Sequence, residues 1–278
     1  MRSLLSLEKI KAQTMKTKLL YLTISLTILL GGCKKEVFEL PGELETAKTN
    51  LAAEFNVLNQ HLASAVVNTM AIYPDTVLIR EEIKNLVKSS DFVTEFSWIT
   101  PSGILQIIEP PIYYASQGID ISGQDHIIKT FATKLPVLSH QFYAVEGFYA
   151  SVVIHPVVKN NIILGAVDAL FYPEQLLENV LKPIFEGKDF EMWVMEKGGK
   201  TLYDQDAGEI GRNLFTDPLY AGFPELLVAA RKIDTEESGT TTYSFYKAGT
   251  NQTVTKLTYW DTFELYGTQW KLVWVKAQ

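Results

Sequence analysis

Residues 43–88, ELETAKTNLAAEFNVLNQHLASAVVNTMAIYPDTVLIREEIKNLVK, decide how the rest of this chain is organised. Apolar side chains recur in them at the spacing of one helical face, and the residues between are mostly polar. The stripe consists of Leu44, Leu51, Leu58, Ala65 and Ile72 at heptad positions, with Phe55, Leu62 and Thr69 beside them. This pattern predicts one long amphipathic helix whose stripe must pack against another part of the structure.

The helical region spans residues 43–90 and is interrupted by a proline. Pro74 lacks an amide hydrogen and disfavours helical geometry at the residue before it, so the first helix ends near Ile72. Asp75 is placed to cap a second helix, whose inner face carries Ile79 and Ile83. A heptad stripe is also typical of a coiled coil, which leaves helix-mediated dimerisation as an alternative to packing within the chain.

The N-terminal residues predict export. Two lysines, Lys16 and Lys18, precede the uncharged and mostly apolar run Leu19–Leu30, which is too short to span a bilayer but suits a signal peptide. Residues 1–14 carry no such signal, and Met15 is a candidate for the true start. An ordinary cleaved signal peptide with an incidental cysteine is the alternative to lipid attachment.

Lipid attachment is suggested by the end of that run. Leu30-Gly31-Gly32-Cys33 resembles the lipobox of bacterial lipoproteins, in which cleavage precedes a lipidated cysteine. We therefore expect a signal peptide over residues 1–32, lipidation at Cys33 and a tether over residues 33–42. Cys33 is the only cysteine, so no internal disulfide is possible.

The charge of the mature chain argues against nucleic-acid binding. Five of the 25 basic residues and one of the 32 acidic residues precede Cys33, which leaves 20 basic and 31 acidic side chains and a net charge of −11. Such a surface repels phosphate backbones and anionic lipid. No second apolar segment is long enough to cross a membrane, so we expect a cell-envelope protein held by its lipid.

Two stretches after the helices, residues 91–187 and 188–278, repeat one order of elements. Each reads as a strand, a hairpin turn, a second strand, a loop, a helix and three more strands. The predicted strands are 92–99, 104–108, 137–145, 149–158 and 162–171, then 190–195, 201–203, 240–246, 254–263 and 270–275. The pattern predicts an α+β fold with two five-stranded antiparallel sheets behind one long helix.

This order of motifs resembles the double Cache family of extracytoplasmic sensing domains. The matching segments are Phe96–Gly103, Gly118–Ser122, Leu138–Ser139, Val153–Val157, Ile163–Val167 and Ile210–Leu214. The resemblance implies two PAS-like units with covering helices, the first membrane-distal and the second membrane-proximal. It further implies that the first unit binds a small molecule between its sheet and the covering loop and helix.

The residues by which family members bind amino acids are absent here. The start of the covering helix reads Gln124-Asp125-His126-Ile127, the third strand offers Phe142 and Ala144, and Leu170 occupies the matching position of the fifth strand. We therefore expect either a different ligand or none.

Eight residues are candidates for ligand binding in the first unit: Trp98, Tyr113, Tyr114, His126, Ser139, Gln141, Tyr143 and Asp168. Asp168 interrupts an apolar strand, so it either needs a partner or a cavity, or lies on a solvated rim. Ser139, Gln141 and Tyr143 share one face of a strand, which looks either at the cavity or at solvent.

The aromatic candidates have alternatives of their own, a place in the cavity wall or a place elsewhere in the fold. Trp98 is either a wall of the cavity or a core residue under the long helix. Of Tyr113 and Tyr114, one is expected to point inward from the covering loop.

We expect no cofactor, no metal and no catalytic residues. His126, His140 and His155 lack the short spacings typical of zinc ligands, and no second cysteine is present. Motifs for phosphate binding, serine hydrolysis and zinc peptidases are also missing. A hydrolase is the weakest of the functions considered.

The sequence therefore predicts a lipid-anchored small-molecule-binding protein, a sensor or solute-binding protein without its own signalling output. The expected ligand is a polar or carboxylated metabolite, and occupancy would be passed to a membrane sensor or transport partner. The alternative is a ligand-free interaction module that docks on a membrane sensor through the long helix or a strand edge.

Overall fold

The computed structural model describes residues 38–278 of the chain. The predicted signal peptide, the lipidation of Cys33 and the first half of the tether lie outside the described residues. Within residues 38–278, no helix combines the length and the apolar character that a membrane span requires.

Two helices open the described chain, as the sequence predicts. Helix α1 spans Gly42–Ile72 and helix α2 spans Thr76–Leu86. The Asp75 carboxylate accepts hydrogen bonds from the amides of Val77 and Leu78 at 3.0 and 3.1 Å, which confirms the predicted cap. The cap satisfies amide groups that have no partner within the helix.

The first sheet is antiparallel and has the strand order β2-β1-β6-β5-β3, with β4 paired to β5. Its strands are β1 Val93–Ile99, β2 Leu105–Glu109, β3 Val137–Leu138, β4 Phe142–Tyr143, β5 Tyr149–Lys159 and β6 Ile162–Phe171. A 3-10 helix at Pro111–Ser116 and helix α3 at Asp125–Thr133 lie between β2 and β3, and helix α4 at Pro173–Phe185 follows β6.

The second sheet has the strand order β8-β7-β11-β10-β9, which matches the path of the first. Its strands are β7 Glu191–Glu196, β8 Lys200–Tyr203, β9 Ser238–Tyr246, β10 Thr253–Leu265 and β11 Thr268–Ala277. A 3-10 helix at Pro218–Gly222 and helix α5 at Pro224–Thr235 lie between β8 and β9. The predicted α+β architecture of one long helix and two antiparallel sheets is confirmed.

The third strand of the first sheet differs from the prediction. The sequence predicts one strand over residues 137–145, whereas the structure has two short strands, β3 and β4. Leu138 pairs with Val153 and Phe142 pairs with Ala150, so one extra residue is accommodated between these pairs. The Ser139 hydroxyl accepts the amide of Val152 at 2.9 Å, which takes that amide out of the regular ladder. The first sheet therefore has six strands rather than five.

Helix α1 packs against both sheets through its predicted stripe. Phe55 is at the centre of this contact, with its ring 5.8 Å from Phe171 of the first sheet. The same ring lies 5.6 Å from Phe263 and 5.7 Å from Trp270 of the second sheet. The stripe is thus buried within the chain, and dimerisation is not required to cover it.

Strand alternation gives each sheet one face toward α1 and one face toward its own covering segments. In β1, Phe96 and Trp98 belong to the core under α1, while Glu95 and Ser97 point to the opposite face. In β7, Val194 packs in the α1 core and Trp193 in a separate core on the other side. The covered faces are therefore the places where a cavity can form.

We predict that Phe55→Ala destabilises the whole described fold. Loss of a ring buried between both sheets should lower the free energy of unfolding by about 3–5 kcal/mol in urea titrations. Val67→Ala is the matched control on the exposed side of α1, because its side chain is 61% exposed, and it should change stability by less than ~0.5 kcal/mol. Similar effects of the two variants would contradict this account of the core.

Candidate functional site

A small chamber lies between the first sheet and its covering segments, where the sequence predicts a ligand cavity. We call it the first-sheet chamber; it is lined by Glu95, Leu105, Ile121, Gln124, His126, Phe142, Val145, Glu146, Asp168 and Leu170. Its volume is about 20 Å³, room for a single water molecule. The expectation of a cavity large enough for a small-molecule ligand in the first unit is therefore wrong for this structure.

Register brings the acidic side chains of the chamber together. Strand β1 pairs with β6 so that Ser97 lies opposite Asp168 and Glu95 lies opposite Leu170. Because side chains alternate along a strand, Glu95, Ser97, Asp168 and Leu170 share the face that looks at the cover. Glu146 reaches the same chamber from the turn after β4.

Asp168 is buried and holds one hydrogen bond at the floor of the chamber. The hydroxyl of Ser97 donates to its carboxylate. Burial raises the pKa of Asp168 to about 7, although the hydrogen bonds from Ser97 act in the opposite direction. A carboxyl group with this pKa changes charge near neutral pH.

Glu95 and Glu146 are less well satisfied than Asp168. Glu95 is only 3% exposed and its Oε2 atom has no hydrogen-bond partner among the described residues. Burial, followed by the nearby charges of Glu146 and Asp168, raises the pKa of Glu95 to about 10. Burial also raises the pKa of Glu146, whose Oε1 is likewise buried without a partner.

His126 does not neutralise these carboxyl groups. It lies in the first turn of α3, with its ring centroid 4.7 Å from that of Phe142. Burial lowers the pKa of His126 to about 4, so the imidazole is uncharged at neutral pH. The described lining of the chamber contains no lysine or arginine.

Another buried carboxylate of the first sheet, Glu109, has a charged partner of the kind that the chamber acids lack among the described residues. Glu109 of β2 is buried, but Arg80 of α2 donates to its Oε1 at 2.8 Å. The Tyr114 hydroxyl donates to the same oxygen at 2.6 Å. Burying charge without such partners is unfavourable, and Glu95, which has none among the described residues, therefore keeps its proton at neutral pH.

Three of the eight sequence candidates lie at or beside this chamber. His126 and Asp168 line it. Tyr113 is close enough that the charges of Glu95 and Glu146, after burial, raise the pKa of its hydroxyl.

Glu95 and Glu146 were missed by the sequence reading. The alternation of Glu95 with Ser97 in β1 was visible, but the strand register that sets them beside Asp168 was not. Glu146 belongs to a turn, where no periodicity marks its direction.

Trp98 and Tyr114 lie away from the chamber. Trp98 pairs with Val167 on the α1 side of the sheet and packs 6.3 Å from the ring of Tyr73, so it is a core residue. Tyr114 lies under the guanidinium of Arg80, which is 5.0 Å from its ring centroid, and its hydroxyl bonds Glu109. Trp98 faces α1 because side chains alternate along β1. Tyr114 is held away from the chamber by its contacts with the ion pair between Arg80 of α2 and Glu109 of β2.

The polar candidates of the third strand do not form one cavity-facing row, because the strand is interrupted after β3. Ser139 is used by the backbone of β5. The backbone amide of Gln141 donates to Oε1 of Glu196 at 3.1 Å. The side chain of Tyr143 is 62% exposed, and its hydroxyl donates to the carbonyl of Gly147.

The histidines considered for a metal site lie apart. His140 contacts Glu196 at 3.1 Å, and His155 contacts Asn59 at 3.1 Å. Across residues 38–278, no three or more His, Cys, Asp or Glu side chains are grouped so that they could hold a metal ion.

Comparison with known proteins identifies the kind of domain to which this geometry corresponds. Residues 53–173 match the family described as HK/GC/Chemotaxis protein-like, sensor domain. The matched segment runs from within α1 to the first residue of α4 and includes the whole first sheet. No curated protein matches the sequence.

Solved structures resemble the chain over both sheets. An extracellular ligand-binding receptor from Desulfohalobium retbaense is 25% identical with a TM-score of 0.73, over 86% of this chain and 40% of the receptor. The chain thus spans well under half of that receptor. The ligand-binding domain of the Pseudomonas fluorescens chemoreceptor CtaA, solved with L-alanine, is 13% identical with a TM-score of 0.63, over 85% of this chain and 95% of the domain.

A third similar structure was solved with a different amino acid. The ligand-binding domain of the Pseudomonas aeruginosa chemoreceptor PctB, solved with L-Gln, is 11% identical with a TM-score of 0.63, over 85% of this chain and 89% of the domain. At these identities the two chemoreceptor domains establish the fold. The chain therefore has the double Cache fold of extracytoplasmic sensing domains, and its first sheet matches the HK/GC/chemotaxis sensor-domain family.

Proposed function

We propose that this protein is a lipid-anchored, extracytoplasmic sensor or solute-binding protein whose first-sheet chamber binds the ammonium group of a small amine. The observation that carries the proposal is that the buried Glu95 and Asp168 and the half-buried Glu146 meet in a chamber whose described lining has no cationic side chain. A bound ammonium group would favour release of the proton that Glu95 holds at neutral pH, and it would donate hydrogen bonds to the carboxylate oxygens of Glu95 and Glu146 that have no partner among the described residues.

An amine suits the chamber better than the carboxylated metabolite expected from the sequence. A ligand carboxylate would bring a fourth acidic group into a chamber that already holds Glu95, Glu146 and Asp168 and has no cation in its described lining, and His126 is uncharged at neutral pH. The L-alanine and L-Gln bound by the CtaA and PctB domains each carry an ammonium group. This chamber offers partners for that half of an amino acid, and an amine without a carboxylate avoids the repulsion.

Ligand entry requires the cover to move, because the closed chamber holds about 20 Å³. The cover residues Phe142, Val145 and Glu146 follow the interruption of the third strand, and β4 pairs with β5 through only two residue pairs. A short pairing of this kind opens at low free-energy cost. An amine that binds the ionised carboxylates better in one conformation would shift the equilibrium by its difference in affinity.

Attachment to the envelope is proposed from the sequence Leu30-Gly31-Gly32-Cys33. Lipid at Cys33 would keep the folded region close to the membrane through the short tether before α1. A membrane sensor or transport protein is then the natural partner to receive the occupancy signal.

Short amines should raise the melting temperature of the protein, whereas matched carboxylates should not. Ethylamine, ethanolamine or 1,4-diaminobutane at about one hundred times Kd should stabilise the fold by ~2.7 kcal/mol, or about 5–10 °C. Acetate and propionate test the opposite charge, and Ca²⁺ and Mg²⁺ test a metal. Stabilisation by the carboxylates or by the metals alone would overturn the amine proposal, as would no response to any amine.

Asp168→Asn should abolish the shift caused by the best amine, because it removes a charge while keeping the acceptor for Ser97. Glu45→Gln is the matched control, since it removes one carboxylate from the exposed side of α1. An unchanged amine response in Asp168→Asn would place the site elsewhere.

The free energy of unfolding should fall between pH 7 and pH 9 in the protein without ligand. Glu95 has a pKa of about 10 in the fold against an ordinary value of 4.5, so the folded state retains a proton that the unfolded state has released. Stability is therefore lost as the pH rises between these values. Glu95→Gln should flatten the profile by up to about 1.4 kcal/mol per pH unit, measured by urea titration, and Glu45→Gln should leave the slope unchanged. Parallel slopes for wild type and Glu95→Gln would contradict the assignment.

Cys33→Ser should release the protein from the membrane fraction of a bacterial host. Mass spectrometry of the wild-type N-terminus should then find a diacylglyceryl group on the sulfur of Cys33. Retention of Cys33→Ser in the membrane fraction would contradict lipid anchoring without affecting the ligand site.

A further inference from the structure

The second sheet carries a larger cavity than the first, at the equivalent position between sheet and cover. We call it the second-sheet chamber; its volume is about 480 Å³. Cavities that hold small organic ligands measure about 300–1,000 Å³. It is bounded by β7, β9 and β10, by the loop 204–214 and by the hairpin 247–251.

Aromatic rings form much of the wall of this chamber. Trp193 of β7 and Tyr243 and Phe245 of β9 point to the covered face, and Tyr220 closes the chamber from the 3-10 helix. All four are buried, and the ring of Phe245 lies 5.9 Å from that of Tyr220. Such walls suit a flat apolar group, which gains from stacking and edge-to-face contacts.

The polar part of the lining contains four acidic side chains and three basic ones. Glu191 forms an ion pair with Lys256 at 2.7 Å, so the one buried ammonium of the described lining is already neutralised. Glu209 accepts the hydroxyl of Tyr220 at 2.5 Å, and Asp204 accepts the amide of Asp206 at 2.8 Å. Neither Asp204 nor Glu209 forms an ion pair among the described residues, but the charge of Lys256 acts on both and lowers their pKa values.

The negative charge of Glu209 acts on Asp204. Burial raises the pKa of Asp204 to about 7, hydrogen bonding by Asp206 opposes this, and the charge of Glu209 raises it further. Burial likewise raises the pKa of Glu209, against the hydrogen bond from Tyr220. The two carboxyl groups therefore create a region of negative potential beside the aromatic walls.

The basic residues at the mouth are poorly placed to hold an anionic ligand. Arg212 donates through Nε to the carbonyl of Gly208 at 2.6 Å and through Nη1 to Asp217 at 3.0 Å. Lys247 lies on the exposed β9–β10 hairpin, where solvent screens its charge. A cation is thus the better electrostatic match for the chamber.

From these contacts we propose that the second-sheet chamber is a second ligand site, which takes a molecule joining an aromatic ring to a protonated amine. The ring would pack against Trp193, Tyr243 and Phe245, and the ammonium group would lie between Asp204 and Glu209. This site is separate from the first-sheet chamber, which is too small for an aromatic ring in its closed form. The inference therefore does not depend on the function proposed for the first sheet.

The test uses 4-fluorophenethylamine as the probe, with the complete protein, ligand-observed fluorine NMR and isothermal titration calorimetry. Its counterpart, 4-fluorophenylacetate, has the same ring with a carboxylate in place of the amine. We expect saturable binding of the amine with one site and no binding of the carboxylate. Equal binding of both probes would overturn the proposal, and so would the absence of amine binding at millimolar concentration.

Site-directed variants locate the bound amine. Asp204→Asn combined with Glu209→Gln keeps the acceptors for Asp206 and Tyr220, so the fold should persist, and thermal melting checks this. The double variant should weaken amine binding at least tenfold. Glu45→Gln, which removes one carboxylate from the exposed side of α1, is the matched control and should leave the affinity within twofold.

Two outcomes separate this proposal from the function proposed for the first sheet. Loss of aromatic amine binding in Asp168→Asn, with retention in the double variant, would place the probe in the first sheet and refute a second site. Loss in the double variant alone supports the second site even if short aliphatic amines fail to bind the first-sheet chamber.

Discussion

The burial of the apolar stripe of α1 between two sheets is the contact on which the rest of the fold depends. Phe55 contacts Phe171 in the first sheet and Phe263 and Trp270 in the second, so one side chain joins both halves of the core. A helix of this length gains little stability alone, and most of it comes from packing such a face. The contact commits one face of each sheet to the core.

The opposite face of each sheet is then left to a loop and a short helix, and both chambers form there. They differ in how tightly the cover closes, with volumes of about 20 and 480 Å³. They share an excess of carboxyl groups over Lys and Arg side chains in their described linings, three to none in the first and four to three in the second. Outside the chambers the chain pairs such a group, as Glu109 with Arg80 shows. The proposed ligand sites rest on the carboxyl groups in these chambers that form no ion pair among the described residues.

The local sequence pattern predicted most helices and strands correctly, but it predicted few of the residues that line the first-sheet chamber. The end of α1 at Ile72, shortly before Pro74, and the cap of α2 at Asp75 both follow from the chemistry of single residues. The structure confirms both predictions. The predicted strand over residues 137–145 was wrong because Ser139 replaces a ladder contact with a side-chain hydrogen bond. Trp98 and Asp168 were both considered for the cavity, but they occupy opposite faces of one sheet.

The sequence by itself determined the order of helices and strands, because the spacing of apolar residues, with a period of 3.6 in helices and 2 in strands, is visible without knowing which elements pack together. It also determined the double Cache resemblance, since two stretches repeat the same order. Only the tertiary structure decided which acids meet. Glu95 and Asp168 are 73 residues apart, and their approach depends on the register of β1 against β6, which only the paired strands reveal. The size of each chamber was decided in the same way, because it depends on how closely the cover packs on the sheet.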